Sequence, residues 1–418
     1  MTSRQRLIET LNHRQPDRVC VDLGGTSVTG IYVGVIAQLR RQLFGEKGKP
    51  VKVIEPYQML GEVDDCLREA LGIDVVPLPG RRTMFGFEIA DWKPFTLFDG
   101  TPVLVPGGFN VTADENGDLL IYPEGDTTAP PSGRMPKGGV YFDAIIRQPP
   151  IDDAKLDPAD NCEEFRLLTD AEIQDFADRA AERAATGCGV IISLPGTAIG
   201  DIALVPATFL KHPKGIRDVQ EWYMSTVLRK DYLHAVFARQ TEIAVKNIER
   251  LGKAVGDLAQ AAFVCGTDFG TQRSQFISSA AYRELYSPYY RQINGAIHKF
   301  TPWKTFKHSC GSIRALIPDL IADGFDILNP VQCSATDMDP RALKSEFGKQ
   351  VTFWGGGVDT QHTLPFGTPD EVYREVRERV EIFSDGGGFV FNTVHNVQRG
   401  TPVANLLAMF KAVRDSGK

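Results

Sequence analysis

Short apolar runs alternate with segments of helical periodicity along the C-terminal two-thirds of the chain. Residues 170–186 carry apolar side chains at helical spacing, and residues 189–194 follow as a continuous apolar run typical of a buried strand. The same order recurs to the end, with later strands predicted at 261–265, 303–308, 326–329, 351–354 and 388–391. Strands that alternate with helices in this way indicate parallel βαβ units.

Two further strands fit upstream, at residues 18–23 and 73–77, and each follows a helix-like stretch. Eight such units predict an α/β fold, a closed (β/α)8 TIM barrel formed as a single domain by residues 1–418. An open doubly wound sheet is the alternative. Such sheets usually carry a Gly-x-Gly-x-x-Gly turn after the first strand, which Leu23-Gly-Gly-Thr26 does not match.

Residues 84–150 interrupt the alternation with short runs of alternating apolar and polar residues. Asp99-Gly100 and Asn116-Gly117 separate these runs, and both dipeptides favour tight hairpin turns. We therefore expect an antiparallel β-meander inserted after the second strand. A segment that follows the carboxyl end of a barrel strand lies on the catalytic face, so the meander is positioned to act as a lid.

Composition and charge narrow the range of partners. Hydrophobic residues make up 42% of the chain and charged residues 24%, and the net charge is −7. The chain has no basic run of five residues and no apolar stretch of 18, which argues against nucleic acid and against a membrane. Its beginning reads as an amphipathic helix rather than a signal peptide, and its seven cysteines are scattered. We therefore expect reduced thiols and a cytoplasmic location.

Ionisable and amide side chains gather where the predicted strands end, as active sites of TIM barrels do. These residues are Asp22, Asp268, His308 with Cys310, Gln332 with Cys333, Asp359, and His395 with Asn396. Alternate residues of an extended segment point to one side, so His308 and Cys310 converge and suit zinc. A structural histidine beside an inert thiol and a Cys/His nucleophilic pair are the alternatives. Cys333 or His395 could complete a metal site, and residue type does not separate them.

Several segments resemble the uroporphyrinogen decarboxylase superfamily, and the likeness spans nearly the whole chain except the meander. The matching segments are Leu11-Asn-His-Arg-Gln-Pro-Asp-Arg18, Gly266-Thr-Asp-Phe-Gly-Thr-Gln272, His308-Ser-Cys-Gly-Ser312, Asp326-Ile-Leu-Asn-Pro-Val-Gln332, Phe353-Trp-Gly-Gly356 and His395-Asn-Val-Gln398. The resemblance implies a (β/α)8 barrel, in agreement with the periodicity.

The superfamily contains two chemistries, and the motifs favour one of them. True decarboxylases resemble one another in a Met-Arg-Gln-Ala-Gly-Arg segment whose arginines hold the substrate carboxylates, whereas Val21-Asp-Leu-Gly-Gly-Thr26 has no arginine. The corrinoid-dependent methyltransferases hold zinc with a His-x-Cys pair and a third ligand near the last strand. His308 and Cys310 match the pair. The third position falls on His395, where that branch usually has cysteine, and Cys333 is the reserve.

The resemblance therefore implies a zinc-dependent methyltransferase acting between a small methylated compound, or a thiol, and a corrinoid. A separate protein must carry the corrinoid, because the chain lacks an Asp-x-His-x-x-Gly sequence. The expected catalytic residues are Asp268, Asn396 and Asp22, and the expected substrate-binding residues are Gln272, Gln332 and Asp359. A homodimer is a candidate assembly of this chain. The alternatives are a metal-free decarboxylase, in which Asp22 or Asp268 stabilises a protonated pyrrole, and a non-catalytic ligand-binding barrel.

Overall fold

The computed structural model describes residues 1–45 and 49–416, and within them one sheet contains eight strands that all pair in parallel. The strands are β1 (Cys20–Val21), β2 (Val75–Leu78), β3 (Gly189–Ser193), β4 (Ala261–Cys265), β5 (Lys304–His308), β6 (Ile327–Asn329), β7 (Thr352–Trp354) and β8 (Phe389–Phe391). β1 pairs with β8, and the remaining neighbours are consecutive in the chain. The backbone N–H of Asp74 donates to the carbonyl of Val21 over 2.8 Å, which joins β2 to β1. The predicted TIM barrel is confirmed.

Helices precede, separate and follow the strands of the barrel. They are α1 (Ser3–Leu11), α2 (Val33–Phe44), α3 (Asp65–Leu71), α4 (Asp170–Ala185), α5 (Val219–Leu228), α6 (Lys230–Val255), α7 (Ser279–Leu285), α8 (Ser287–Phe300), α9 (Ile317–Ala322), α10 (Pro340–Phe347), α11 (Thr363–Phe366), α12 (Pro369–Phe383) and α13 (Val403–Asp415). Among the described residues, none of these helices combines the length and the hydrophobicity needed to cross a bilayer.

Local sequence explains where the clearest helices begin. Thr169 accepts from the backbone N–H of Glu172, and the Glu172 side chain accepts from Thr169 in return, so a capping box starts α4. Thr368 and Glu371 form the same arrangement at α12. The capping boxes satisfy backbone donors that the first helical turn would otherwise leave unpaired.

The N-terminal helix closes the bottom of the barrel. Leu7 and Leu11 of α1 belong to the inner core together with Phe306 and Trp354. A Cβ atom on Gly189 would lie 2.3 Å from a methyl carbon of Leu7, so only glycine lets the helix approach β3 this closely. The apolar side of the N-terminal helix therefore fills the bottom of the barrel.

Residues 84–150 divide between two four-stranded sheets and do not form the single predicted meander. One sheet joins Lys93–Thr96 and Pro102–Val105 to two strands that precede β2, Val51–Glu55 and Leu60–Gly61. The other is an antiparallel meander of Val111–Ala113, Leu119–Ile121, Gly133–Met135 and Asp143–Ala144. Both predicted turns are present, with Gly100 at φ 85° and Gly117 at φ 82°. Val51–Glu55 pairs in parallel with Pro102–Val105, a long-range contact that hairpin signals cannot show.

The inserted sheets contact loops at the carboxyl ends of the barrel strands. Phe142 donates its backbone N–H to the carbonyl of Tyr57 over 2.8 Å, which joins the meander to the other inserted sheet. Arg399, in the loop after β8, donates to the carbonyl of Gly138 over 3.0 Å. On the other side, the Arg147 guanidinium donates to the carbonyl of Ala207 in the loop after β3 over 2.7 Å. The insertion therefore lies over the end of the barrel that carries the predicted site residues.

Candidate metal centre

Polar residues form a layer directly above the apolar interior of the barrel. Side chains of alternate strand residues share a face, so the residue two positions after an inward-facing one also faces inward. The inward-facing core residues and their successors are Cys20 with Asp22, Phe306 with His308, Ile327 with Asn329, and Val390 with Asn392. The barrel thus places a carboxylate, an imidazole and two amides at its carboxyl end, although its deeper interior is apolar.

Three predicted ligands meet in this layer. The Nε2 atom of His308 lies 3.3 Å from the Sγ atom of Cys310. The ligand atoms of His308, Cys310 and His395 all lie within 4.8 Å of one another. Zinc sits about 2.0–2.1 Å from histidine nitrogen and about 2.3 Å from cysteine sulfur, so ligands of one ion are separated by roughly 3–4 Å. Cys333 lies outside the group, and its thiol donates to the carbonyl of Val331 over 3.4 Å.

The ring of His308 is held in the tautomer that a metal ligand needs. The amide nitrogen of Asn329 donates to the carbonyl of Trp354 over 2.7 Å, which turns the amide oxygen toward His308. That oxygen is hydrogen-bonded to His308 Nδ1. Because an amide oxygen only accepts, Nδ1 carries the proton and Nε2 presents its lone pair toward Cys310. His308 therefore fits a metal ligand.

Asp268 holds the other half of the pair in place. Its Oδ1 atom accepts the backbone N–H of Cys310 over 2.6 Å and lies 3.8 Å from His308 Nε2. Burial, together with the negative charge of Asp268, raises the pKa of the Cys310 thiol well above its ordinary value. A bound cation would offset both effects, because metal ligation stabilises the thiolate. The buried donor set of one thiol and neutral imidazoles therefore suits a zinc ion.

His395 is within reach of the group but is not yet oriented as a ligand. Its Nδ1 atom accepts the backbone N–H of Asn396 over 2.8 Å, which leaves the ring proton on Nε2. Burial, together with the nearby His308 ring, lowers the pKa of His395 to about 4, so the ring is neutral at pH 7. Ligation through Nδ1 needs the lone pair that Asn396 occupies, and ligation through Nε2 needs the proton to move to Nδ1. In either case the bond to Asn396 must break.

The backbone of His395 is strained, and the strain should affect the stability of substitutions at this position. His395 has φ 72°, in the left-handed region that favours glycine. We therefore expect His395→Gly to be more stable than His395→Ala by about 1 kcal/mol, the reverse of the usual order, although both variants should lose zinc affinity. Urea denaturation and chelator competition measure the two quantities. Greater stability of the alanine variant would show that the strain is absent.

Gln272 and Gln332 are brought together beside the metal group. Gln332 accepts the backbone N–H of Gly311 over 2.8 Å and donates to Gln272 Oε1 over 2.8 Å. Gly311 follows Cys310 directly, so the predicted substrate-binding pair is engaged in fixing the loop that carries the thiol. A substrate-binding role for these two glutamines remains a prediction.

Asn396 and Asp359 are occupied by other contacts. The amide of Asn396 accepts the backbone N–H of Gly30 and donates to the side chain of Gln58 over 2.8 Å. It therefore ties the loop after β8 to the segments around β1. Asp359 accepts the backbone N–H groups of Gln361 and His362 over 2.6 and 3.1 Å, and so fixes the turn before α11. Neither residue contacts the three-ligand group through these bonds.

Asp22 is buried in the same polar layer and has no cationic partner among its described contacts. Its two oxygens accept from the backbone N–H of Gly25 and from Nε1 of Trp354, each over 2.8 Å. Burial raises the pKa of Asp22 to about 6, although these hydrogen bonds act in the opposite direction. Asp22 therefore orders the turn after β1 and the indole of Trp354.

The raised pKa of Asp22 predicts a pH-dependent stability. The folded state holds its proton up to about pH 6, whereas the unfolded carboxyl loses it near 3.8, so stability from this group is present below 3.8 and is lost as pH rises through 6. The loss is about 3 kcal/mol at most. We expect Asp22→Asn to remove this part of the pH dependence. Urea denaturation of both proteins at pH 4 and pH 7 measures it, and equal pH dependences would contradict it.

Two residues that position the metal group were not predicted from the sequence. Asn329 lies inside a predicted strand, but only the pairing of His308 with Asn329 across β5 and β6 shows that it meets the histidine. Lys307 is fully buried and donates to the carbonyls of Thr267 and His308 over 2.5 and 2.6 Å. It thereby links the segment before Asp268 to the end of β5. Lys307 follows Phe306 in the strand Lys304–His308, which also contains a second lysine, so nothing in the sequence marks it as a buried cation.

Comparisons with known proteins agree with this architecture. A family model described as uroporphyrinogen decarboxylase (URO-D) matches residues 204–416. The methylated-thiol–coenzyme M methyltransferase of Methanosarcina mazei is 26% identical over 215 residues, which are 50% of this chain and 51% of that protein. The match thus spans about half the length of that relative. A solved methyltransferase structure from Methanosarcina mazei superposes with a TM-score of 0.54 at 16% identity, covering 99% of both chains. The structural likeness supports the barrel fold.

Proposed function

The chain belongs to the uroporphyrinogen decarboxylase family, and from that premise we propose that it is a zinc-dependent methyltransferase. It moves a methyl group between a small methylated compound, or a thiol, and a corrinoid carried by a separate protein. The observation that carries the proposal is the convergence of His308, Cys310 and His395 within 4.8 Å at the carboxyl end of the barrel. A metal-free decarboxylase does not require a thiol and two neutral imidazoles in one place, so this donor set favours the metal-dependent proposal.

Three residues would hold the metal ion, and two others would position them. His308 Nε2 and Cys310 Sγ would hold the ion, with His395 as the third ligand once its ring releases Asn396. When bound, zinc supplies a Lewis acid that keeps a substrate thiol ionised at neutral pH or polarises the atom that carries the methyl group. Asn329 keeps His308 Nε2 free of a proton, and Asp268 fixes the backbone of Cys310.

The surroundings of the group favour a small substrate. The inserted sheets at residues 84–150 lie over the barrel end and act as a lid, excluding water from the reacting atoms. The curated relative acts on methylated thiols, as its name states. A methylated thiol or a free thiol is therefore the first substrate class to test.

The proposal is tested by methyl transfer from methylcobalamin, used in place of the corrinoid protein, to a small thiol such as mercaptoethanol. The thiol sulfur takes the methyl group, the cobalt–carbon bond breaks with both electrons left on cobalt, and the thiol proton is released. We expect zinc-loaded protein to accelerate this reaction, followed by the absorbance change at cobalt. The metal-free protein should not accelerate it.

The opposite direction uses the same protein with cob(I)alamin and a panel of methyl thioethers and methyl ethers. If zinc-loaded protein catalyses transfer in neither direction, the proposed function is wrong. Release of carbon dioxide from a tetrapyrrole carboxylate by the metal-free protein would instead support the decarboxylase alternative.

A further inference from the structure

A cavity of about 370 Å³ lies beside the barrel end, outside the metal group. The loop after β3, the segment before α4, and helices α5 and α6 form its walls. His308, Cys310, Asp268 and His395 do not line it. The volume lies within the range of about 300–1,000 Å³ that small-molecule sites occupy. The cavity is therefore a separate candidate site, and its lining shows what it could bind.

Asp201 is the one charged side chain of the lining that forms no ion pair among the described residues. Arg217 pairs with Glu163 and Glu164, and the other lining cations, Arg82 and Arg166, pair with carboxylates as well. Asp201 forms no ion pair in the described part of the chain, although the buried Lys307 is close enough for its charge to act on the carboxylate. It accepts only backbone N–H groups, from Ala203 over 3.1 Å and from Gly266 over 3.2 Å.

The rest of the lining is aliphatic, amide and aromatic, and one aromatic side chain has a hydrogen-bond donor that is not used. Phe165, Phe209 and Trp222 line the cavity. Trp222 is only 4% exposed, and its Nε1 atom is buried with no hydrogen-bond partner. A buried N–H group without an acceptor costs roughly 1–3 kcal/mol, so such groups usually meet an acceptor in a ligand or in ordered water.

We propose that this cavity binds a small organic cation, a quaternary or tertiary ammonium compound that also carries a hydroxyl or carbonyl oxygen. The ammonium group meets the carboxylate of Asp201 and the faces of the aromatic side chains, which attract weakly hydrated cations. The N-methyl groups fill the apolar walls. The oxygen accepts the N–H of Trp222. Burial raises the pKa of Asp201 above its ordinary value, and a bound cation would bring it down again.

The site is linked to the metal group through the backbone. Asp201 Oδ2 accepts the N–H of Gly266, which lies two residues before Asp268, and Asp268 in turn holds the N–H of Cys310. A ligand on Asp201 therefore acts on the segment that positions the thiol. Binding itself requires no zinc and no methyl transfer, so this inference stands or falls independently of the proposed function.

Calorimetric titration of the metal-free chain with choline tests the site, because choline has a quaternary ammonium and a hydroxyl group. The matched ligand is its uncharged analogue, in which a carbon atom replaces the nitrogen. We expect choline to bind at least about tenfold more tightly than the analogue. Equal affinities, or no binding of choline at millimolar concentration, would overturn the proposal.

Two variants test the contact of the ammonium group with Asp201 and the contact of the oxygen with Trp222 separately. Asp201→Asn should abolish the preference for choline over its analogue, whereas Trp222→Phe should weaken both ligands by about three- to tenfold. Glu115→Gln removes the same charge at an exposed hairpin turn and should leave choline binding unchanged. A preference for choline over its analogue that survives in Asp201→Asn would overturn the proposal. If that variant does not fold, the comparison of the two ligands on the wild-type chain decides.

Discussion

Cys310→Ser is expected to lose at least about 100-fold in zinc affinity and to reduce methyl transfer to the background rate. A neutral hydroxyl is a much poorer zinc ligand than a thiolate, and the substitution removes the sulfur that lies 3.3 Å from His308 Nε2. The fold should be preserved, because serine keeps the backbone N–H that Asp268 accepts. Chelator competition and the methylcobalamin assay measure the two losses.

Cys333→Ala is the matched control for this variant. Cys333 is also a largely buried cysteine at the barrel end, and burial raises the pKa of its thiol to about 12. It lies outside the three-ligand group, so its loss should leave zinc bound and activity within about twofold of wild type. Loss of zinc in Cys333→Ala, with zinc retained in Cys310→Ser, would make Cys333 the sulfur ligand.

Asn329→Leu should lower zinc affinity by about 10- to 100-fold without removing any ligand. Leucine has nearly the shape of asparagine but no oxygen, so His308 Nδ1 loses its partner and the ring is free to place its proton on Nε2. Asn329→Asp is the comparison, because a carboxylate also accepts from Nδ1. We expect the aspartate variant to hold zinc far better than the leucine variant. Equal losses would mean that residue 329 acts only through packing.

The barrel was predictable because the signals for each strand and helix lie within a few neighbouring residues. The apolar run at 189–194 and the capping box of α4 are signals contained in a few neighbouring residues, and both correspond to observed elements. Interruptions within helical stretches were not visible. Residues 219–251 carry apolar side chains at helical spacing throughout, but the structure has two helices there, because Arg229 has φ −134° and ψ 45°, outside the helical region. Nothing in the apolar spacing marks that break.

The inserted region shows the limit of local signals. The turns at Gly100 and Gly117 follow from their dipeptides, and both are observed. The strand Pro102–Val105 pairs with its neighbour Lys93–Thr96 and also with Val51–Glu55, which lies on the other side of β2 in the chain. Pairing over such a distance depends on how the completed barrel places the two segments. It cannot be derived from alternation within either one.

The grouping of His308, Cys310 and His395 was predictable from the sequence, whereas the hydrogen bonds around them were not. The i, i+2 spacing of His308 and Cys310 placed both on one side of the chain, and the structure brings them within 3.3 Å. His395 joins them because β8 ends at the same edge of the barrel as β5. By contrast, the sequence does not show that Asn396, an expected catalytic residue, accepts from Gly30 and donates to Gln58; its catalytic role remains a prediction. Such bonds cross between loops whose positions only the assembled barrel defines.

X-ray absorption at the zinc edge tests the central claim most directly, because it counts the sulfur and nitrogen ligands of the bound ion. The account predicts one zinc per chain with one sulfur at about 2.3 Å and nitrogen or oxygen ligands at about 2.0–2.1 Å. The sulfur signal should disappear in Cys310→Ser loaded with excess zinc. A wild-type spectrum without sulfur, a sulfur signal that survives in Cys310→Ser, or a purified protein that binds no zinc would contradict the account.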